Sequence, residues 1–119
     1  MAISQKDQRI LKELGNRYME FASLPLMVEK VELWKSLNRC EMQRPMVCID
    51  QLPWHELRNE EGLRCLIEDP VWRGVEWNLR WMIYQWKHFP VDMVLEPFIT
   101  IPQAIQRTDY GLKAQVERL

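Results

Sequence analysis

Apolar and polar positions alternate with helical spacing over the first part of the chain. Ile10, Leu11, Leu14, Tyr18, Phe21 and Ala22 recur every three or four residues, with Lys12, Glu13, Asn16 and Glu20 filling the opposite side. Ser4 followed three residues on by Asp7 reads as a weak capping box, so the spacing predicts a helix over Gln5–Leu24. Pro25 interrupts it and suits the first turn of a second helix, whose stripe of Leu26, Met27, Val31, Leu33, Trp34 and Leu37 runs to about Asn38. After Arg44-Pro45 the period changes. Met46-Val47-Cys48-Ile49 is a continuous apolar run closed by Asp50 and the turn-like Gln51-Leu52-Pro53, the pattern of a strand buried on both faces. Leu63–Glu68 permits a short helix or a strand, and its spacing favours the helix. Asp69-Pro70 is the strongest local signal: Asp as N-cap and Pro at the first helical position predict a helix to about Phe89, stopped by Pro90. Met93-Val94-Leu95, ended by Glu96-Pro97, reads as a second buried strand. From Tyr110, Leu112, Ala114 and Val116 alternate with polar neighbours as in an edge strand, although Leu112, Val116 and Leu119 also fit a helix.

Strand, long helix and strand in that order define a β-α-β unit with parallel strands and a right-handed crossover. The expected class is therefore α/β, with one domain over residues 1–119: a helical segment over 1–40 and a sheet-forming part over 44–119.

The helix over 70–89 carries two apolar faces. At about 100° per residue, Val71, Val75, Leu79, Met82, Ile83, Trp86 and Phe89, with Trp72, make one broad stripe. Trp77, Trp81, Tyr84 and His88 line up nearly opposite. Arg73, Glu76, Arg80 and Lys87 form a polar strip between them, and Asn78 and Gln85 form the other. A helix covering a sheet needs only the first stripe. The second must meet another helix, the rest of a larger domain or another chain, so Trp77, Trp81, Tyr84 and His88 are candidate interface residues, with a homo-oligomer burying Trp77 and Trp81 expected if the chain exists alone.

Composition narrows the function classes. A hydrophobic fraction of 47% beside 28% charged residues is that of an ordinary globular chain. Sixteen basic against 17 acidic residues leave a net charge of −1, without the basic excess of a nucleic-acid partner. No stretch has the length of a membrane span and the polar N-terminus does not read as a signal peptide. The three cysteines, Cys40, Cys48 and Cys65, lack Cys-x-x-Cys spacing and read as buried free thiols in a reducing cytoplasm. With two histidines in the chain, no zinc-ligand pattern forms. Phosphate-cradling glycine loops and the Gly-x-Ser-x-Gly elbow are absent too.

Parallel α/β folds place chemistry at the carboxyl ends of strands. Asp50 and Glu96 end the two expected strands, with His55 and Glu56 on the loop after the first. Asp50, His55 and Glu96 are thus candidate acid–base groups or hard ligands, and Trp54 and Glu56 candidate substrate contacts. The bland reading is that such carboxylates cap loop amides or pair with Arg44, Arg58 or Arg73, and that Trp54 is a plug.

The stretch Arg44–Asp50, then Leu52-Pro53-Trp54-His55-Glu56, then Glu68-Asp69-Pro70 with a helix ending Tyr84-Gln85-Trp86-Lys87-His88, then Asp92–Glu96, resembles the N-terminal region of uroporphyrinogen decarboxylase-like proteins. These group with the cobamide-dependent methyltransferases that demethylate methoxylated or methylamine compounds. The resemblance spans roughly residues 25–112, and its most specific piece is the Pro-Trp-His-Glu loop. It implies N-terminal helices followed by the first β-α-β units of a (β/α)8 barrel, incomplete in this chain because a whole barrel takes about 250 residues. It also implies a pocket faced by Asp50, Trp54, His55 and Glu96, a small methylated substrate, a corrinoid protein as partner, and zinc held by ligands from later parts of such a protein. On that resemblance the chain is expected to be inactive alone, binding no metal or cofactor itself, and to be completed by the remainder of a barrel or by self-association. The rival expectation is a small non-enzymatic interaction protein that associates through the aromatic face of the 70–89 helix.

Overall fold

Local capping chemistry sets the first helix boundaries. In the computed structural model, which describes residues 3–101, the Ser4 hydroxyl accepts a hydrogen bond from the Asp7 amide at 3.1 Å, and α1 runs from Gln5 to Ala22. Leu24 is extended at φ −64°, ψ 138°, and Pro25 opens α2 (Pro25–Asn38). That helix ends on Cys40 at φ +61°, with the Glu41 amide donating back to Ser36 O at 2.9 Å and the Cys40 amide to Leu37 O at 3.0 Å. Cysteine here occupies the left-handed position that glycine fills in most such helix ends. After a four-residue turn of helix, α3 (Trp54–Leu57), comes α4 (Pro70–His88). The expected helix ends at Leu24 and Phe89 fall within two residues of those observed, the usual scatter at fraying termini.

At the start of α4, Asp69 Oδ1 accepts from the amides of Val71 (3.0 Å) and Trp72 (3.2 Å). Replacing Asp69 with alanine leaves these donors to water and is expected to cost about 0.5–2 kcal/mol, readable as a lower urea midpoint at unchanged slope; a midpoint equal to wild type would show that Pro70 alone sets the helix start.

The core lies where α1 meets α4. Leu14, Tyr18 and Ala22 pack with Leu79 and Ile83, and Met27 of α2 and Leu95 close the cluster. Phe21 and Trp86 add a ring contact at 6.5 Å. The first stripe of α4 therefore covers a helix and an irregular segment, with no sheet beneath it.

Here the structure corrects the α/β expectation. Among the described residues there is no strand and no sheet, so the β-α-β units and the partial (β/α)8 barrel are not formed. A strand exists only through a backbone ladder, and side chains take the place of that ladder here. Val47 O accepts from the Asp92 amide at 3.1 Å, but the Val47 amide donates to the Asp92 carboxylate at 2.8 Å where a neighbouring strand's carbonyl would stand. Ile49 O accepts from Gln85 Nε2 at 2.7 Å. The Leu95 amide points at Met27 Sδ, 3.4 Å away. Buried backbone groups need partners of some kind, and side chains from α2, α4 and the Asp92 turn provide them without strand pairing.

Residues 63–68, expected to be helical, are irregular. Leu63 and Ile67 are fully buried, while the Leu66 and Ile67 amides donate to Glu76. The edge strand expected from Tyr110 lies outside the described residues.

The second face of α4 meets α3. Trp54 packs edge-on to Trp77 at 6.1 Å and tilted on Trp81 at 5.8 Å, with Tyr84 at 6.3 Å. A contact within the chain thus takes up part of the aromatic face.

Candidate functional site

A cleft of about 640 Å³ lies between α2, the 46–50 segment, the aromatic face of α4 and the 92–96 segment. Four tryptophans line it: Trp34, Trp54, Trp77 and Trp81. Asp50 and Glu96, each closing an apolar run, share it with Lys35. Flat apolar walls with a few convergent charges are the usual make-up of a small-molecule site.

Asp92 holds the cleft together. It sits in a turn where Val91 has φ +39°, an uncommon backbone for a β-branched residue. Bonds on both sides fix that turn: Lys30 Nζ donates to Val91 O, and Trp34 Nε1 donates to Asp92 O at 2.8 Å. The Asp92 side chain, 6% exposed, accepts from Arg44 Nη2 at 2.7 Å, from Arg44 Nη1 at 3.1 Å and from the Val47 amide at 2.8 Å. The hydrogen bonds from Arg44 and then from Val47 hold its carboxyl well down, at about 2 against an ordinary 3.8. The same hydrogen bond pushes the Arg44 guanidinium up. One residue thus ties the segment bearing Asp50 to the segment bearing Glu96, and both to α2.

Farther along, the Tyr18 hydroxyl donates to Glu96 O at 2.6 Å, with Phe98 O at 3.4 Å. Burial, with the Glu96 charge nearby, pushes the Tyr18 phenol up and keeps it a donor. Gln85 fixes the opposite wall through Ile49 O.

The structure brings Asp50, Trp54, Trp77, Trp81 and Glu96 to this one cleft. His55 and Glu56 do not line it. Their side chains are largely exposed, 3.7 Å apart, and His55 borders a different cleft behind Trp54. Tyr84 and His88 meet with ring centroids 4.3 Å apart, tilted by 43°, toward the far end of α4. Among the described residues no group of three or more His, Cys, Asp or Glu is placed to hold a metal ion. Burial pushes the Cys65 thiol up and the Glu76 charge adds to it, against the pull of Arg80 and Arg73, a setting that disfavours the reactive thiolate.

Sequence reasoning missed Asp92, Gln85 and Trp34 as parts of the site. A signal for the first was present: the two apolar runs are each preceded by a charge, Arg44 before one and Asp92 before the other, of opposite sign. Two runs lying side by side bring those charges together.

No family model matches the chain, nor does any curated protein or solved structure. No helix among the described residues is long and apolar enough to cross a membrane.

Proposed function

We propose that this chain holds a small methylated substrate for corrinoid-linked methyl transfer of the uroporphyrinogen decarboxylase-like kind, as a binding part that is inactive alone. The supporting observation is the joining of Trp54, Trp77 and Trp81 with Asp50 and Glu96 in one cleft. Indole faces attract cations, and carboxylates at the rim add to that attraction, so a methylated ammonium group suits the lining best. The roles follow from chemistry. The indoles surround the methyl groups, and Asp50 and Glu96 balance the charge. Asp92, Tyr18 and Gln85 position the walls.

The methyl-accepting cobalt belongs to the corrinoid protein that the resemblance names as partner. Zinc does not fit the described residues, which lack a three-donor group, and the role proposed for this chain contains no metal-dependent step. A cytoplasmic location goes with this reading, supported by Cys40, Cys48 and Cys65 as free thiols.

Titration with tetramethylammonium, followed by tryptophan fluorescence and calorimetry, tests the proposal. Saturable binding is expected, weakened about 2- to 30-fold in Trp81→Ala and weakened again in Glu96→Gln. A neutral methoxyarene binding as well or better would replace the cationic substrate by an ether. No binding of either would remove the substrate role.

A second reading, self-association, draws on exposed apolar side chains such as Val28 (67% exposed) and Phe98 (61%). It predicts a molar mass above that of one chain in light scattering.

A further inference from the structure

Behind the Trp54–Trp77 pair lies a second cleft of about 610 Å³, opposite in character to the first. Arg58, Arg73, His55 and Asn59 stand around it, and among the described residues no Asp or Glu is in its lining. The first cleft has Asp50, Asp92 and Glu96 against Lys35. The two indoles are a party wall between an acidic space and a basic one.

Among the described residues, no ion pair neutralises the guanidiniums of the second cleft. The pairs among the described residues involve Lys35, Arg39, Arg44, His55 and Arg80, and neither Arg58 nor Arg73. Arg73 donates from Nε to Ile67 O at 2.7 Å and from Nη2 to Glu68 O at 3.1 Å. Those carbonyls fix its position without bringing a counter-charge and, among the described residues, leave further N–H donors of the guanidinium unspent. Arg58 stands exposed at the end of α3. Asp69 already occupies the first-turn amides of Val71 and Trp72, so an anion here is recognised by side chains rather than by the start of α4.

The floor of the cleft is open. Gly74 lines it, inside α4, where glycine is unfavourable relative to alanine. A Cβ at this position would meet nothing within 4 Å. Packing does not demand glycine there, and its effect is to leave the space against Trp77 clear.

We infer that this second cleft binds an aromatic oxyanion, its ring against the Trp54 and Trp77 indoles and its carboxylate or phosphate between Arg58 and Arg73. Planar guanidiniums suit the two-oxygen face of either group, and indoles give a flat ring contact area. The site lies across the shared Trp54 and Trp77 indoles from the methylated-substrate cleft and has its own charged groups, Arg58 and Arg73, through which it is tested.

The test is calorimetric and fluorescence titration of the full chain with benzoate, phenyl phosphate, inorganic phosphate and neutral benzamide. Benzoate, phenyl phosphate or both should bind, and the stronger of the two identifies the oxyanion. Arg58→Gln should weaken that binding by roughly tenfold or more while leaving tetramethylammonium binding in the first cleft unchanged. Gly74→Met, whose side chain enters open space, should abolish it with the helical circular dichroism intact. Three outcomes would overturn the assignment: benzamide binding as tightly as benzoate, inorganic phosphate binding as tightly as phenyl phosphate, or Arg58→Gln without effect on the anions.

Discussion

Replacing Glu76 with alanine is expected to destabilise the fold by about 3–5 kcal/mol, the range for removing one partner of a buried ion pair. Glu76 lies on α4 with no solvent exposure. Its carboxylate accepts from the Leu66 amide at 2.9 and 3.1 Å, from the Ile67 amide at 3.0 Å and from Arg80 Nε at 2.8 Å. Alanine leaves two amides and a guanidinium without their acceptor. The Arg80 side chain is 13% exposed, so water replaces little of the loss. Residues 63–67 have no ladder or helix of their own to fall back on, and they carry the fully buried Leu63 and Ile67. Releasing this segment therefore exposes apolar surface as well. Glu76→Gln keeps one carbonyl acceptor but turns an amide N–H₂ toward other donors, and should fall between wild type and alanine. Urea unfolding followed by circular dichroism reads all three. An alanine variant within about 0.5 kcal/mol of wild type, the range of an ordinary surface substitution, would show that the carboxylate does not hold the 63–67 segment.

The same residue shows where the sequence stops being readable. Glu76 falls in a strip with Arg73, Arg80 and Lys87, and such a strip reads as a solvated helix face. It is buried because an irregular segment crosses it, and no local pattern announces that segment. Helix limits were legible for the opposite reason: Ser4, Pro25, Asp69-Pro70 and Pro90 act on their immediate neighbours. Met46–Ile49 and Met93–Leu95 read as buried runs, but Val47 and Cys48 are exposed and Leu95 alone of the two runs is buried; burial on both faces and strand formation alike depend on a ladder partner that a run does not encode. Gln85, placed on a polar strip, reaches Ile49 O, and Asp92 reaches Val47; side chains thus hold the backbone groups that a sheet would have held. The meeting of Asp50 and Glu96 was inferred from strand ends. The structure reaches the same juxtaposition by the Asp92 tie. Trp54 is turned toward α4 while His55 and Glu56 face away, because successive residues on a turn of helix diverge by about 100°, and α3 itself was read as loop.

Acid should open the first cleft, and Asp92 should be the residue that reports it. Its carboxyl is held at about 2 against an ordinary 3.8 by the Arg44 and Val47 hydrogen bonds, so the folded chain gives up this proton more readily than the unfolded one. The stabilisation is then fully present above the unfolded-state value near 3.8 and is lost as pH falls toward the folded-state value of about 2. Protonation removes the charge that Arg44 pairs with and weakens the tie between the Asp50 and Glu96 segments. Asp92→Asn imposes that loss at neutral pH. It should lower the thermal midpoint there and, if the assembled cleft is populated in about a tenth of molecules, weaken tetramethylammonium binding about tenfold. The variant should also lack the part of the acid transition that wild type shows between about 4 and about 2. Other carboxylates protonate as well, so the difference between the two titrations isolates Asp92. Salt gives an internal check: the Arg44 side chain is 47% exposed, so its pair with Asp92 is screened, whereas the asparagine carbonyl still accepts from the Val47 amide, and the difference between the two proteins should shrink with added sodium chloride. Equal midpoints and equal ligand affinity for wild type and Asp92→Asn at neutral pH would mean that Trp34, Lys30 and the Val91 turn hold the cleft without the carboxylate.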